Sequence, residues 1–100
     1  MRIIKIEGQN LELTPAIHQF IELKFGQLEK MTARYQPFDL EIRVGKDSKH
    51  HAKGEIFFAE VNCILPGPSI HLRVVKDDLY SAIDLVKDRL KNQIAKRKPD

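Results

Sequence analysis

The residues of this chain best suited to chemistry are cations, and they crowd its C-terminal end. Residues 87–100, KDRLKNQIAKRKPD, hold 6 Lys or Arg against 2 Asp or Glu, whereas residues 1–86 hold 11 against 12. The net charge of +3 therefore resides in the last 14 residues. A neutral body with one basic end is the footprint expected of a surface that binds a polyanion. Charge that serves solubility alone is usually interspersed along the chain. A plainer account also fits, because Lys and Arg in the last turns of a helix complement its dipole by about 0.3–1 kcal/mol each.

Other candidates are fewer. Lys24 lies between the apolar pairs Ile17/Phe20 and Leu28/Met31, so its ammonium has to reach out along the helix margin. The stretch 46–55, KDSKHHAKGE, joins adjacent histidines to several lysines. No Cys, Asp or Glu at ligand spacing completes a metal site there, so a basic solvated loop, or one that touches phosphate, is the better reading. Cys63 lies between Val61 and Leu65 on the apolar side of a strand pattern and reads as a buried thiol. Asp84 and Asp88 are four apart on the outward side of a helical pattern and read as solvated. Nucleophile elbow, phosphate loop and dinucleotide fingerprint are all missing. These residues assemble no convergent polar pocket, so an enzyme is not expected.

The elements that must carry these groups are legible from periodicity. Residues 2–7, RIIKIE, form a strand expected to end at Gly8. Thr14-Pro15 starts a helix, since a Thr hydroxyl caps free N–H groups and Pro suits the first helical position. Ile17, Phe20, Ile21, Leu28 and Met31 give it one apolar stripe, and it is expected to run until just before Pro37. Residues 38–44 alternate apolar and polar, as do 54–65 and 69–76, with Pro66-Gly67-Pro68 as a turn. The outward positions of these strands are Glu41, Arg43, Phe58, Glu60, Asn62, His71 and Arg73, so this face offers few aromatics for stacking unpaired bases. Asp77-Asp78 caps a last helix with the stripe Leu79, Ile83, Val86, Leu90 and Ile94. At about 100° per residue, Tyr80, Lys87, Lys91 and Lys98 share one flank of that stripe, with Arg89 and Lys96 on the other. Arg97 is in line with the stripe, past its last buried turn.

The order β-α-β-β-β-α predicts an α+β fold in two layers: a four-stranded mixed sheet with both helices on one face. The crossover helix allows the first two strands to pair in parallel, and the short turns make the rest antiparallel. One hundred residues suffice for a single domain, 1–100. The hydrophobic fraction of 42% and charged fraction of 31% are globular values. No apolar run approaches the roughly 18 residues of a membrane span, and one cysteine excludes a disulfide framework. A soluble, cytoplasmic protein is expected.

Three strings carry a resemblance: GQNLELTPAIHQFIELKFGQLEK at 8–30, EVNCILPGPSIHLRV at 60–74 and DLYSAIDLVKDRLKNQIAKRK at 78–98. In the last, Asp78, Tyr80, Ala82, Ile83 and Asp84 match an Asp-x-Tyr-x-Ala-Ile-Asp signature, followed by a cationic pattern at Arg89, Gln93, Lys96 and Lys98. The chain resembles the ribosome hibernation-promoting factors, the ribosome-associated inhibitors also called sigma-54 modulation proteins, in their short form. The resemblance implies a fold similar to double-stranded-RNA-binding domains. It implies binding to the small ribosomal subunit between head and body, where messenger and transfer RNA would lie, and inhibition of translation in non-growing, stationary-phase or stressed cells. By position it implies contacts to ribosomal RNA from Lys24, Arg89, Lys96 and Lys98. The charge map adds Lys87, Lys91 and Arg97. Asn92 stands where many members have a basic residue. No cofactor, metal, membrane or small-molecule substrate is implied, and the free protein is expected to be a monomer. The alternative from another class is a protein-interaction module that modulates a transcription factor.

Overall fold

The computed structural model describes residues 1–47 and 54–97. Among them the elements run β1 (Arg2–Gln9), α1 (Pro15–Gly26), a short α2 (Glu29–Thr32), β2 (Asp39–Lys46), β3 (Phe57–Ile64), β4 (Ile70–Lys76) and α3 (Leu79–Lys96). The strands form one sheet in the order β1-β2-β3-β4. β1 pairs in parallel with β2, from Arg2 opposite Asp39 to Gln9 opposite Gly45. The other two pairings are antiparallel. The mixed sheet expected from the order of elements is the one observed.

Strand alternation decides which face is covered. Leu40, Ile42 and Val44 of β2 and Ala59, Val61 and Cys63 of β3 are at most 1% exposed, and all belong to the core cluster. α3 lies over β2, β3 and β4, and α1 packs beside α3. Ile17, Ile21 and Phe25 of α1 and Ile83, Val86 and Leu90 of α3 complete the core. Each such side chain contributes about 1.5–3 kcal/mol by leaving water. Both helix starts are capped as their sequences predict. Thr14 Oγ1 accepts from the Ile17 N–H at 3.3 Å, with Pro15 at the first helical position. Asp78 Oδ2 accepts from both the N–H and the hydroxyl of Ser81 at 2.8 Å.

Three boundaries differ from expectation. β1 does not stop at Gly8: Gly8 and Gln9 continue the ladder opposite Val44 and Gly45. A Cβ at Gly8 would stand 2.7 Å from the Leu11 carbonyl oxygen, so glycine here admits the returning chain without ending the strand. The strand expected over 54–65 is confined to Phe57–Ile64. The helix expected to reach Pro37 instead ends at Gly26. There the Leu28 N–H bonds to the Phe25 carbonyl, three residues back, tightening the turn. Leu28 thereby drops into the core, and α2 follows. The buried stripe of α1 is thus Ile17, Ile21 and Phe25, with Phe20 at its edge and Lys24 at its margin.

Candidate functional site

α3 carries most of the candidate cations, and its packing divides them. The Tyr80 flank faces α1: the Tyr80 and Phe20 rings meet edge to face at 4.7 Å between centroids. Lys91 lies on this flank, one turn beyond Lys87. Arg89 and Lys96 lie on the flank away from α1. Arg89, Lys91 and Lys96 are exposed, and no carboxylate pairs with any of them among the described residues.

The seam between α1 and α3 is different. Lys24 snorkels out at the helix margin as expected, but its Nζ ends 3.2 Å from Asp84 Oδ1 and 5.4 Å from the Phe20 ring centroid. Lys87 Nζ lies 3.5 Å from the same Asp84 oxygen and 2.6 Å from Asp88 Oδ1. Two expectations are corrected here. Lys87 is not an open cation: it is 8% exposed, one of the buried residues of α3. Asp84 and Asp88 are not merely solvated: they neutralise Lys24 and Lys87. The hydrogen bond from Lys24, then the charges of Lys24 and Lys87, hold the Asp84 carboxyl below its ordinary range despite its partial covering. The hydrogen bond to Asp88 raises Lys87 against the opposing effect of burial. Both groups are therefore charged at neutral pH. The sequence signal for the Asp84–Lys87 pair was its i, i+3 spacing, whereas the Lys24–Asp84 pair between helices has no local spacing to read.

Arg97 is also committed internally. Its guanidinium donates from Nη2 to the Pro68 carbonyl, and its own carbonyl accepts from the Tyr35 hydroxyl at 3.3 Å. Its Nη1 is buried. This residue ties the end of α3 to the β3–β4 turn and to the segment before β2. Its position past the buried turn put the guanidinium against the turn, not into solvent. Lys98 and the loop candidates Lys49, His50, His51 and Lys53 lie outside the described residues.

The open face of the sheet carries charge that cancels. Glu60 accepts from Arg43 Nε at 3.1 Å and from Arg73 at 3.3 Å, and Arg73 also reaches Asp47 at 3.4 Å. Asn62 donates to Glu41 at 2.9 Å. Partial burial pushes Glu60 up, but the hydrogen bond and charge of Arg43, with help from Arg73 and His71, leave it below its ordinary value. Phe58 does lie on this face, yet it is fully covered, with the Arg73 guanidinium 4.1 Å from its ring centroid. It cannot stack a base. On the apolar face, burial pushes the Cys63 thiol up to about 11, as befits an inert core cysteine. No group of three or more His, Cys, Asp or Glu among the described residues is placed to hold a metal. No helix among them is long and apolar enough to cross a membrane.

These features define a small two-layer α+β domain with a self-neutralised sheet face and a basic helical face. Comparison with known proteins gives that class a family. The model of the sigma 54 modulation protein / S30EA ribosomal protein family matches residues 4–99, and the chain belongs to this family. It is 32% identical over 95 residues to a ribosome hibernation promoting factor of Klebsiella oxytoca, covering 95% of this chain and 92% of that one. It is 35% identical to a ribosome hibernation promotion factor of Bacillus subtilis, but spans only 47% of that relative's length. Among solved structures, the N-terminal domain of Thermus thermophilus Protein Y superposes with a TM-score of 0.70 at 36% identity, covering 94% of this chain and 96% of that one. A ribosomal subunit interface protein of Coxiella burnetii shares the fold, with a TM-score of 0.78 at 23% identity and 96% of each chain covered.

Proposed function

We propose that this protein is a ribosome hibernation factor. It binds ribosomal RNA of the small subunit in the channel used by messenger and transfer RNA, and it holds translation off in non-growing cells. Family membership and the hibernation factors among its relatives support this reading. The observation that carries the RNA contact is the set of exposed, unpaired cations on α3, beside a sheet face whose charges are already paired. Arg89, Lys91 and Lys96 make the primary phosphate contacts, and by sequence Lys98 continues them. Lys24 and Lys87 join only where a phosphate displaces Asp84 or Asp88. Arg97 acts mainly by fixing the end of the helix. Inhibition by occupancy breaks no bond, so the protein acts without catalysis, cofactor or metal, in the cytoplasm where ribosomes work. The relatives' names speak of the ribosome, which leaves the transcription-factor alternative resting on half of the family's description.

Co-sedimentation with purified small subunits over a salt series tests this. Each lost phosphate contact lowers the slope of log K against log salt by about 0.7–0.9, so R89A/K91A/K96A should lose about 2–3 from the slope. If the triple variant pellets as well as wild type at every salt concentration, the site is wrong. If wild type never pellets, the function is wrong.

A further inference from the structure

The seam between α1 and α3 has an unusual layering of charge. Its cations are covered and its carboxylates are open: the Lys24 and Lys87 side chains are 25% and 10% exposed, those of Asp84 and Asp88 44% and 52%. A phosphate that approaches the seam meets carboxylate oxygens before it meets either ammonium. On both sides of this strip the helix offers free cations, Lys91 one turn on and Arg89 with Lys96 around the far flank. A flexible polyanion that lays its phosphates along α3 is attracted to those cations and repelled at the strip. A rigid RNA fold can hold its phosphates at the flanks and keep them away from the strip, or place one phosphate hard enough against the strip to displace a carboxylate.

We propose that Asp84 and Asp88 form an exclusion element that suppresses binding of generic nucleic acid and so determines the selectivity of the basic helix. The two carboxylates act by like-charge repulsion and by withholding Lys24 and Lys87. The comparison with a structured ribosomal ligand rests on the proposed function; the repulsion of loose phosphate does not.

The test measures binding of poly(U), a flexible polyanion without structure, and of purified small subunits at one fixed salt concentration. The variants are D84N/D88N, D88N alone and E12Q. D88N leaves the Lys24–Asp84 link between the helices in place, which guards against loss of fold. Glu12 is exposed and has no ion pair among the described residues, so E12Q controls for net charge. Poly(U) affinity should rise about threefold in D88N and about tenfold in the double variant, with little change in E12Q. Affinity for small subunits should rise less than about threefold in the double variant. Unchanged poly(U) binding in both Asp variants overturns the proposal. So does a rise in E12Q equal to that in D88N, or an equal rise for both ligands. If wild type fails to bind subunits, the ribosomal reading falls, while poly(U) binding measured against E12Q still decides whether the strip repels phosphate.

Discussion

Replacing Lys87 by Ala tests whether this residue stabilises the fold or supplies a contact to RNA. Its side chain is 10% exposed, and its ammonium is shared between Asp84 and Asp88. Truncation removes three covered methylenes, worth up to about 2.4 kcal/mol at about 0.8 kcal/mol each. Release of a rotamer-rich side chain offsets roughly 1.5 kcal/mol of that. The ion pairs add less than about 1 kcal/mol, because both carboxylates are about half exposed and water screens them. The net destabilisation is about 1.5 kcal/mol. K87M keeps the covered stem and loses only the charge, so it should cost under about 1 kcal/mol. K91A, on an exposed neighbouring turn, should stay within about 0.5 kcal/mol of wild type. Urea unfolding followed by circular dichroism measures all three, with equal m-values as the check that only stability changed. In small-subunit binding the order reverses: K91A should lower the salt slope, and K87M should leave it unchanged. If K87A costs no more stability than K91A, or if K87M lowers the salt slope as much as K91A does, the covered, paired reading of Lys87 is refuted.

Gly45 sits opposite Gln9 and Phe58, and a Cβ there would collide with the Gln9 carbonyl and stand 3.0 Å from the Phe58 ring. G45A should therefore cost more than about 2 kcal/mol by forcing β1 off β2, seen as a lower urea midpoint. Glu60 gives a pH signature. Its folded pKa is below its ordinary value, so its charge contributes stability that is present above the unfolded value of about 4.3 and lost as pH falls through the lowered folded value. The stability gap between wild type and E60Q should be full at pH 6 and shrink as pH falls below about 4. A gap that grows on acidification would contradict the Arg43–Glu60–Arg73 network.

Much of the architecture could be read along the chain because it depends on local rules. Thr14-Pro15 and Asp78 mark helix starts by the chemistry of their own side chains, and both caps form. The alternation over 38–44 places Leu40, Ile42 and Val44 inward, as observed. The end of α1 was less legible. Glycine at 26 is a poor helix former, but the turn there depends on a core that receives Phe25 and Leu28 together. The candidate site was legible in part. The charge count pointed to the basic end of the chain, and of the cations counted there Arg89, Lys91 and Lys96 are exposed and unpaired among the described residues.

By itself, then, the sequence determined the order of elements, the caps, the two faces of the sheet and the concentration of positive charge in the last helix. Each follows from neighbours a few residues apart, through capping, strand alternation or helical period. Only the tertiary structure decided which of those charges are available. Lys24 and Asp84 are 60 positions apart in sequence, yet their side chains meet at 3.2 Å because two helices pack on one sheet face. Arg97 meets the Pro68 carbonyl because α3 folds back along the β3–β4 turn. A charge on a helix is counted from sequence, but its freedom depends on the partner that packing places beside it.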